Sequence, residues 1–348
     1  MRYPKFLGKN GTIGFIAPSF GCDTEPYQST FNHAQERFRE MGYSLIEGPN
    51  CRVGEGIGIS NTPKKCADEV NAFFAREDVD CLLSCGGGEL MCEILDFVDF
   101  EKLKTNPPKW YMGYSDNTNL TFLLTTLCDT ASIYGPCATS FGMEPWHTAI
   151  EDAYRLLCGE KLSMQGYEKW EKESGKDEEN PLVPYQVTEP VVRKCYQGDK
   201  LLAEEAELTF SGRLLGGCMD CLATLAGTEF DKVSEFAERY KEDGIVWFLE
   251  SCDLNVFEIR RALWRFEHAG WFKHVKGFLI GRPLCYGQEM MGLDAYTAVT
   301  GILGKYDLPI IMDVDLGHFP PMMPLITGSA ADIKAAAKKM NIHMRLVE

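Results

Sequence analysis

Short, almost uninterrupted apolar runs recur along this chain at residues 12–17 (TIGFIA), 79–84 (VDCLLS), 110–112 (WYM), 245–249 (IVWFL), 277–281 (GFLIG) and 309–312 (PIIM). A strand with one wet face alternates apolar and polar residues, whereas a strand covered on both faces stays apolar throughout. Segments with helical periodicity fall between the runs, over residues 27–41, 62–76, 90–97, 120–127, 255–269 and 294–305. Strand–helix alternation of this kind predicts parallel sheet with helices on both sides. At 348 residues the chain has material for two such units.

The composition shifts between the two halves. Residues 168–179 (EKWEKESGKDEE) are nearly all polar, and Pro181, Pro184 and Pro190 follow. The expected organisation is an N-terminal parallel-sheet α/β domain over 1–165, a linker or insert over 166–206 and a second α/β domain over 207–348. The active site is expected at the interface of the two domains. Residues 212–217 (GRLLGG) read as a short strand and a turn into a helix ending near residue 225. The tail, 330–347, suits either a helix or a closing hairpin. Trp170, inside the polar run, is either a packing anchor or part of a lid.

A formal net charge of −16 argues against nucleic acid and anionic membrane surfaces as partners, since phosphate contacts need clustered Lys and Arg. No stretch approaches the ~20 apolar residues of a membrane-spanning helix. Residues 1–20 lack the pattern of a secretory signal, so a cytoplasmic location is expected. The 14 cysteines are scattered through core-like segments, which suggests free thiols in a reducing compartment. Cys218 and Cys221 have CxxC spacing without a second pair at zinc-finger spacing, favouring packed thiols over a metal or redox centre.

Chemistry concentrates where strands are expected to end. Ser115 lies in the turn GYSD between the run at 110–112 and the apolar helix that follows, where a serine is lifted clear of the backbone. The plainer reading is that Ser115 or Asp116 caps that helix. Glu250 ends the run at 245–249, and His318 sits in the constrained loop after 309–312, between Gly317 and Pro320-Pro321. A serine nucleophile needs a base, and a histidine base needs an acceptor on its other nitrogen; His318 and Glu250 would serve. Each could equally be an ordinary loop or strand-end residue. Gly86-Gly87-Gly88 offers backbone N–H groups at close approach, either as an anion cradle or as a plain tight turn. With the Asp116 amide, Gly87 or Gly88 could supply a two-donor oxyanion hole.

Taken in order, Gly86–Gly88, GYSDNT, GRLLGG with Gly227-Thr228, Phe248–Glu250, Leu316–His318 and Pro324–Gly328 resemble the LD-carboxypeptidase family of serine peptidases. That family includes murein tetrapeptide carboxypeptidases and microcin C self-immunity proteins. The resemblance runs from the first strand nearly to the C-terminus. It implies a cytoplasmic, two-domain, usually dimeric enzyme with a Ser–Glu–His triad and neither metal nor cofactor. Ser115 would be the nucleophile, Glu250 the orienting acid and His318 the base, with oxyanion donors at Gly87, Gly88 and Asp116, whose side chain would also cap the helix. The implied substrate is a small peptide, such as a murein tetrapeptide losing D-alanine across an L,D-linkage, or alternatively a peptidyl or aminoacyl nucleotide. The charged insert is closer to the microcin-immunity branch, where aromatic side chains sit near a nucleotide moiety; Trp170 and Trp146 are the candidates for that role.

Two rivals stand beside this reading. An α/β-hydrolase esterase shares the order Ser, acid, His, but its G-x-S-x-G elbow would require glycine where this chain has Asn117. A non-catalytic ligand-binding protein on the same fold is the other.

Overall fold

The apolar runs assemble into two sheets. In the computed structural model, which describes residues 1–347, the first has the order Leu325–Thr327, Ser132–Tyr134, Trp110–Gly113, Cys81–Ser84, Thr12–Ile16, Ser44–Glu47. Its five N-terminal strands are parallel, and Leu325–Thr327 closes one edge antiparallel. The second sheet has a parallel centre formed by Leu208–Cys218, Ile245–Glu250, Val275–Gly281 and Pro309–Val314. Antiparallel strands extend it on both sides. Parallel strands covered on both faces explain why every residue of Ile245–Glu250, the final glutamate included, is buried.

The helix Thr118–Thr126 lies between the sheets, with all nine residues buried. Phe122 stacks on Trp271 at 5.5 Å, and Trp271 stacks on Trp247 of the second sheet. Each such side chain stabilises by about 1.5–3 kcal/mol through burial. The threonines are tolerated because Thr121, Thr125 and Thr126 donate their hydroxyls to the carbonyl four residues back. Packing therefore fixes the helix that follows Ser115 from every side.

Several local expectations change. Residues 212–217 do not end in a turn; the strand runs Leu208–Cys218 and passes directly into the helix Met219–Leu225. Gly216 and Gly217 serve close approach instead. A Cβ on Gly216 would run into the Phe248 carbonyl, and one on Gly217 would stand 2.6 Å from Thr118 Cγ2. The segment after Gly88 winds as a 3-10 helix, Met91–Phe97, not an α-helix. The tail forms a hairpin, Ala330–Ala335 with Met340–Arg345, whose alternating burial puts Ile333 and Ile342 in the core. Within 166–206, Lys194–Gln197 pairs with Pro309–Met312 at the edge of the second sheet. A small ribbon pairs Lys169–Trp170 with Glu189–Pro190.

Trp170 is an anchor. It is buried, with its ring 5.0 Å from Phe319, 5.3 Å from Tyr286 and 4.5 Å below the Arg282 guanidinium. The polar run beyond it is thereby held as a wall above the ends of the first sheet's strands. Among the described residues no helix is long and apolar enough to cross a membrane.

Candidate active site

Ser115 stands on a strained elbow. The strand Trp110–Gly113 ends, Tyr114 stays extended, and Ser115 takes φ +63° before the 3-10 turn Ser115–Asn117. A non-glycine residue in this region is held there at some cost by its surroundings. Asn117 supplies much of the restraint. Its Nδ2 donates to the Gly86 and Tyr114 carbonyls at 2.8 and 3.1 Å, and its Oδ1 accepts from the Tyr111 hydroxyl. Gly113 leaves room for Asn117, whose Cγ would lie 2.8 Å from a Cβ there. A glycine at position 117 would lose all three bonds.

The structure brings Ser115, His318 and Glu250 together. His318 Nε2 is 2.9 Å from Ser115 Oγ, and His318 Nδ1 is 2.9 Å from Glu250 Oε2. The chain reaches this position because Gly317 has φ +100° and no side chain; a Cβ would stand 2.6 Å from Glu250 Oε2. Tyr114 packs its ring 5.2 Å from the imidazole. Burial alone would raise the Glu250 carboxyl, but the His318 charge and hydrogen bonds from His318 and Tyr134 hold it below its usual range. Burial likewise opposes a charge on His318, and the Glu250 carboxylate outweighs it, raising the imidazole pKa. With Glu250 ionised, Nδ1–H donates to it, leaving the Nε2 lone pair for the Ser115 hydroxyl.

Tyr134 was not among the residues expected here. Its hydroxyl donates to Glu250 Oε1 at 2.5 Å and accepts from the Ser115 backbone N–H at 3.2 Å. One side chain thus ties the strained backbone of the elbow to the carboxylate behind His318. In the sequence it is only the last residue of a short apolar run, identical in appearance to a core tyrosine.

Gly87 faces the elbow: a Cβ on it would lie 3.2 Å from Ser115 Cβ and 3.3 Å from Ser115 Oγ. Its carbonyl turns away to accept from Phe20 N. Gly88 lines the same cavity but packs towards the Gly58 carbonyl and Ser19. The Asp116 side chain does not cap its helix. It accepts from Ser19 Oγ at 2.6 Å, Met91 N at 2.9 Å and Asn119 Nδ2 at 3.0 Å, fastening three segments around the elbow. Burial pushes its pKa up to about 6 against these bonds.

Ser115 opens onto a cavity of about 990 Å³, walled by Tyr27, Tyr114, Tyr185 and the polar run from Glu171 to Tyr185. Several carboxylates line it, among them Asp23, Glu89 and Glu171; apart from His318, Lys176 is its one basic side chain among the described residues. The Lys176 ammonium sits 5.3 Å over the Tyr27 ring, and burial lowers its pKa. A second, small pocket of about 90 Å³ adjoins Ser115 on the side of Asp116, Asn119 and Asp220.

Neither tryptophan considered for ligand contact lines these spaces. Trp170 is committed to the anchor described above. Trp146 packs on Phe38, Phe141 and Tyr154, donates its Nε1–H to the Phe141 carbonyl and carries Arg37 on its face. Cys218 and Cys221 are free thiols, Cys221 lying 3.6 Å from the Ser115 carbonyl oxygen. Among the described residues no group of His, Cys, Asp or Glu is arranged to hold a metal ion.

Comparison with known proteins agrees with this architecture. Residues 13–135 match the LD-carboxypeptidase N-terminal domain and residues 211–333 the LD-carboxypeptidase C-terminal domain. The microcin C7 self-immunity protein MccF of Escherichia coli is 25% identical over 342 residues, covering 97% of this chain and 94% of that protein. The probable murein peptide carboxypeptidase of Bacillus subtilis is 22% identical over 355 residues, covering 99% and 95%. Among solved structures, MccF in complex with glutamyl sulfamoyl guanosine superposes with a TM-score of 0.79 at 22% identity over 99% of both chains. An MccF-like protein from Bacillus anthracis gives 0.81 at 21% identity, over 99% of this chain and all of that one. With both family domains matched in order, this chain belongs to the LD-carboxypeptidase family of peptidases.

Proposed function

We propose that the protein is a serine carboxypeptidase that cleaves an amide bond in a small peptide through an acyl-enzyme on Ser115. The observation that carries this reading is the hydrogen-bonded chain from Ser115 Oγ through His318 to Glu250. Ser115 Oγ attacks the scissile carbonyl as His318 Nε2 takes its proton. The oxyanion forms towards the Gly87 and Asp116 N–H groups, where each donor is worth roughly 3 kcal/mol. His318 then gives the proton to the departing amine, and water attacks the ester by the same route. Glu250 holds the imidazole tautomer and Tyr134 holds Glu250.

A carboxypeptidase must receive a terminal carboxylate, and Lys176 is the cation available in the cavity for it. The favoured substrate is therefore a peptide with a free C-terminal carboxylate, such as a murein tetrapeptide that loses D-alanine across an L,D-linkage. A peptidyl or aminoacyl nucleotide amide is the second reading, favoured by the near-full-length match to MccF and by a cavity roomy enough for a nucleoside.

Mass spectrometry after incubation with murein tetrapeptide and, separately, an aminoacyl-sulfamoyl adenosine tests both. Release of D-alanine that Ser115→Ala abolishes supports the first reading, and cleavage of the nucleotide analogue alone supports the second. Full turnover by Ser115→Ala overturns both.

A further inference from the structure

The loop that carries His318 is gripped on both sides by the segment between Tyr167 and Arg193. Before the histidine, Asp315 Oδ2 accepts from Tyr167 N at 3.0 Å and from Arg193 Nη2 at 2.5 Å. The two ends of the segment therefore meet on one carboxylate oxygen. After the histidine, Glu171 N donates to the Pro320 carbonyl at 2.7 Å, and the Trp170 ring packs 5.0 Å from Phe319. The middle of the same segment, from Glu171 to Tyr185, walls the large cavity.

The loop is also shaped at its root. Where Val275–Gly281 pairs with Pro309–Val314, Ile280 lies opposite Met312 and Gly281 opposite Val314, so Asp313 is an extra residue, bulged at φ +59°. A bulge bends its strand and re-aims the residues beyond it. Arg282 holds this one: its Nη2 donates to the Asp313 carbonyl at 3.1 Å and to Asp315 Oδ1 at 3.4 Å. The Tyr296 hydroxyl donates to Asp313 Oδ2 at 2.8 Å. Gly317 gives the chain between Asp315 and His318 little stiffness of its own, so the alignment of the imidazole depends on the grips at either side.

Asp315, Arg193 and Arg282 are all buried. Two guanidinium groups share one carboxylate, while Nε and Nη1 of Arg193 and Nη1 of Arg282 have no partner among the described residues. An ion pair so incompletely bonded offsets little of its desolvation cost, and apolar packing would hold the fold as well. Directed bonds to one carboxylate from both ends of a segment supply a defined position instead.

We infer that Asp315 is a positioning residue for His318: with Arg193 and Arg282 it locks the 167–193 segment to the loop, so that cavity wall and imidazole are set as one unit. The inference rests on the proposed role of His318 as the base. It gives the polar segment a task beyond enclosing the cavity.

The test uses the intact protein. Amide hydrogen exchange should show the N–H groups of Tyr167, Glu171 and Met323 opening together, with the same dependence on denaturant, since they bond to Asp315 and Pro320. A segment that opens independently of Met323 overturns the inference. In Arg193→Gln, the downfield Nδ1–H resonance of His318, which reports its bond to Glu250, should shift or broaden. Fluorophosphonate labelling of Ser115 should slow by about 10- to 100-fold, the order of effect of a small misplacement. Arg193→Lys, which keeps the charge and one donor, should restore most of both. Trp170→Leu, which loosens the grip on the other side, should act in the same way, and it replaces Arg193→Gln if that variant does not fold. Folded variants with the resonance and the labelling rate unchanged overturn the inference, whatever their melting temperatures. If Ser115 of the unaltered protein is not labelled at all, the reading of Ser115 as nucleophile fails, whereas exchange and the Nδ1–H resonance still decide the role of Asp315.

Discussion

Tyr134 and Glu250 meet across 2.5 Å, joining a strand of the first sheet to the end of a strand in the second. The same hydroxyl accepts from the Ser115 N–H. A buried carboxylate that loses a hydrogen bond is destabilised by about 1.5–3 kcal/mol. Tyr134→Phe should therefore lower kcat by about 10- to 100-fold with little change in KM, and lower the melting temperature. Steady-state kinetics with thermal unfolding checks both; unchanged kcat would reduce Tyr134 to a core residue.

In the proposed mechanism His318 must be neutral to accept the Ser115 proton, so activity should rise as pH climbs through its pKa. The Glu250 carboxylate raises that pKa above the ordinary 6.5. The acid limb of kcat/KM is thus expected above pH 6.5. Glu250→Gln removes the raising charge, so the limb should move to lower pH while kcat falls by roughly 10³–10⁴ through loss of the correct tautomer. A pH–rate profile of both proteins is the check, and an unmoved midpoint would take Glu250 out of this role.

Under the proposed function, Lys176 on the cavity wall receives the terminal carboxylate. Lys176→Gln should raise KM up to about fivefold for a peptide acid, since a partly solvated charge pair contributes about 1 kcal/mol at most. The corresponding C-terminal amide should be little affected, and Lys176→Arg should restore part of the loss. Equal KM changes for acid and amide would point to wall structure instead of carboxylate recognition.

Gly87 approaches Ser115 closely enough that a methyl group would stand 3.2 Å from Ser115 Cβ. Gly87→Ala should displace one oxyanion donor and lower kcat by about 10²–10³. Its unfolding midpoint should stay near that of the unaltered protein, since Gly87 lies on an open cavity wall.

Ser115, Glu250 and His318 are legible in the chain because each marks an abrupt change from an apolar run to a polar or glycine-rich turn. Those changes coincide with strand ends, where open α/β sheets bind ligands. Their approach to hydrogen-bonding distance is not legible, since it depends on packing between segments 203 residues apart. Tyr134 looks like an ordinary core residue, and only its partners, Glu250 and the Ser115 N–H, distinguish it. Lys176 is hidden for the opposite reason: it belongs to a charge run that normally means solvent, and the buried Trp170 turns that run into a cavity wall. Gly216 and Gly217 mislead because a glycine pair signals a turn as readily as close approach to a neighbour, here the Phe248 carbonyl and the Thr118 side chain. The tail stays ambiguous until Ile333 and Ile342 are seen to face inward on alternate positions.

The most direct measurement of the chemistry is acid quenching of the protein during turnover of a slow ester or peptide substrate, followed by peptide mass mapping. The predicted result is the acyl mass on the peptide containing Ser115, accumulating before steady-state release and absent in Ser115→Ala. Product formation at the full rate with that peptide unmodified, and with Ser115→Ala equally active, would contradict a covalent serine mechanism.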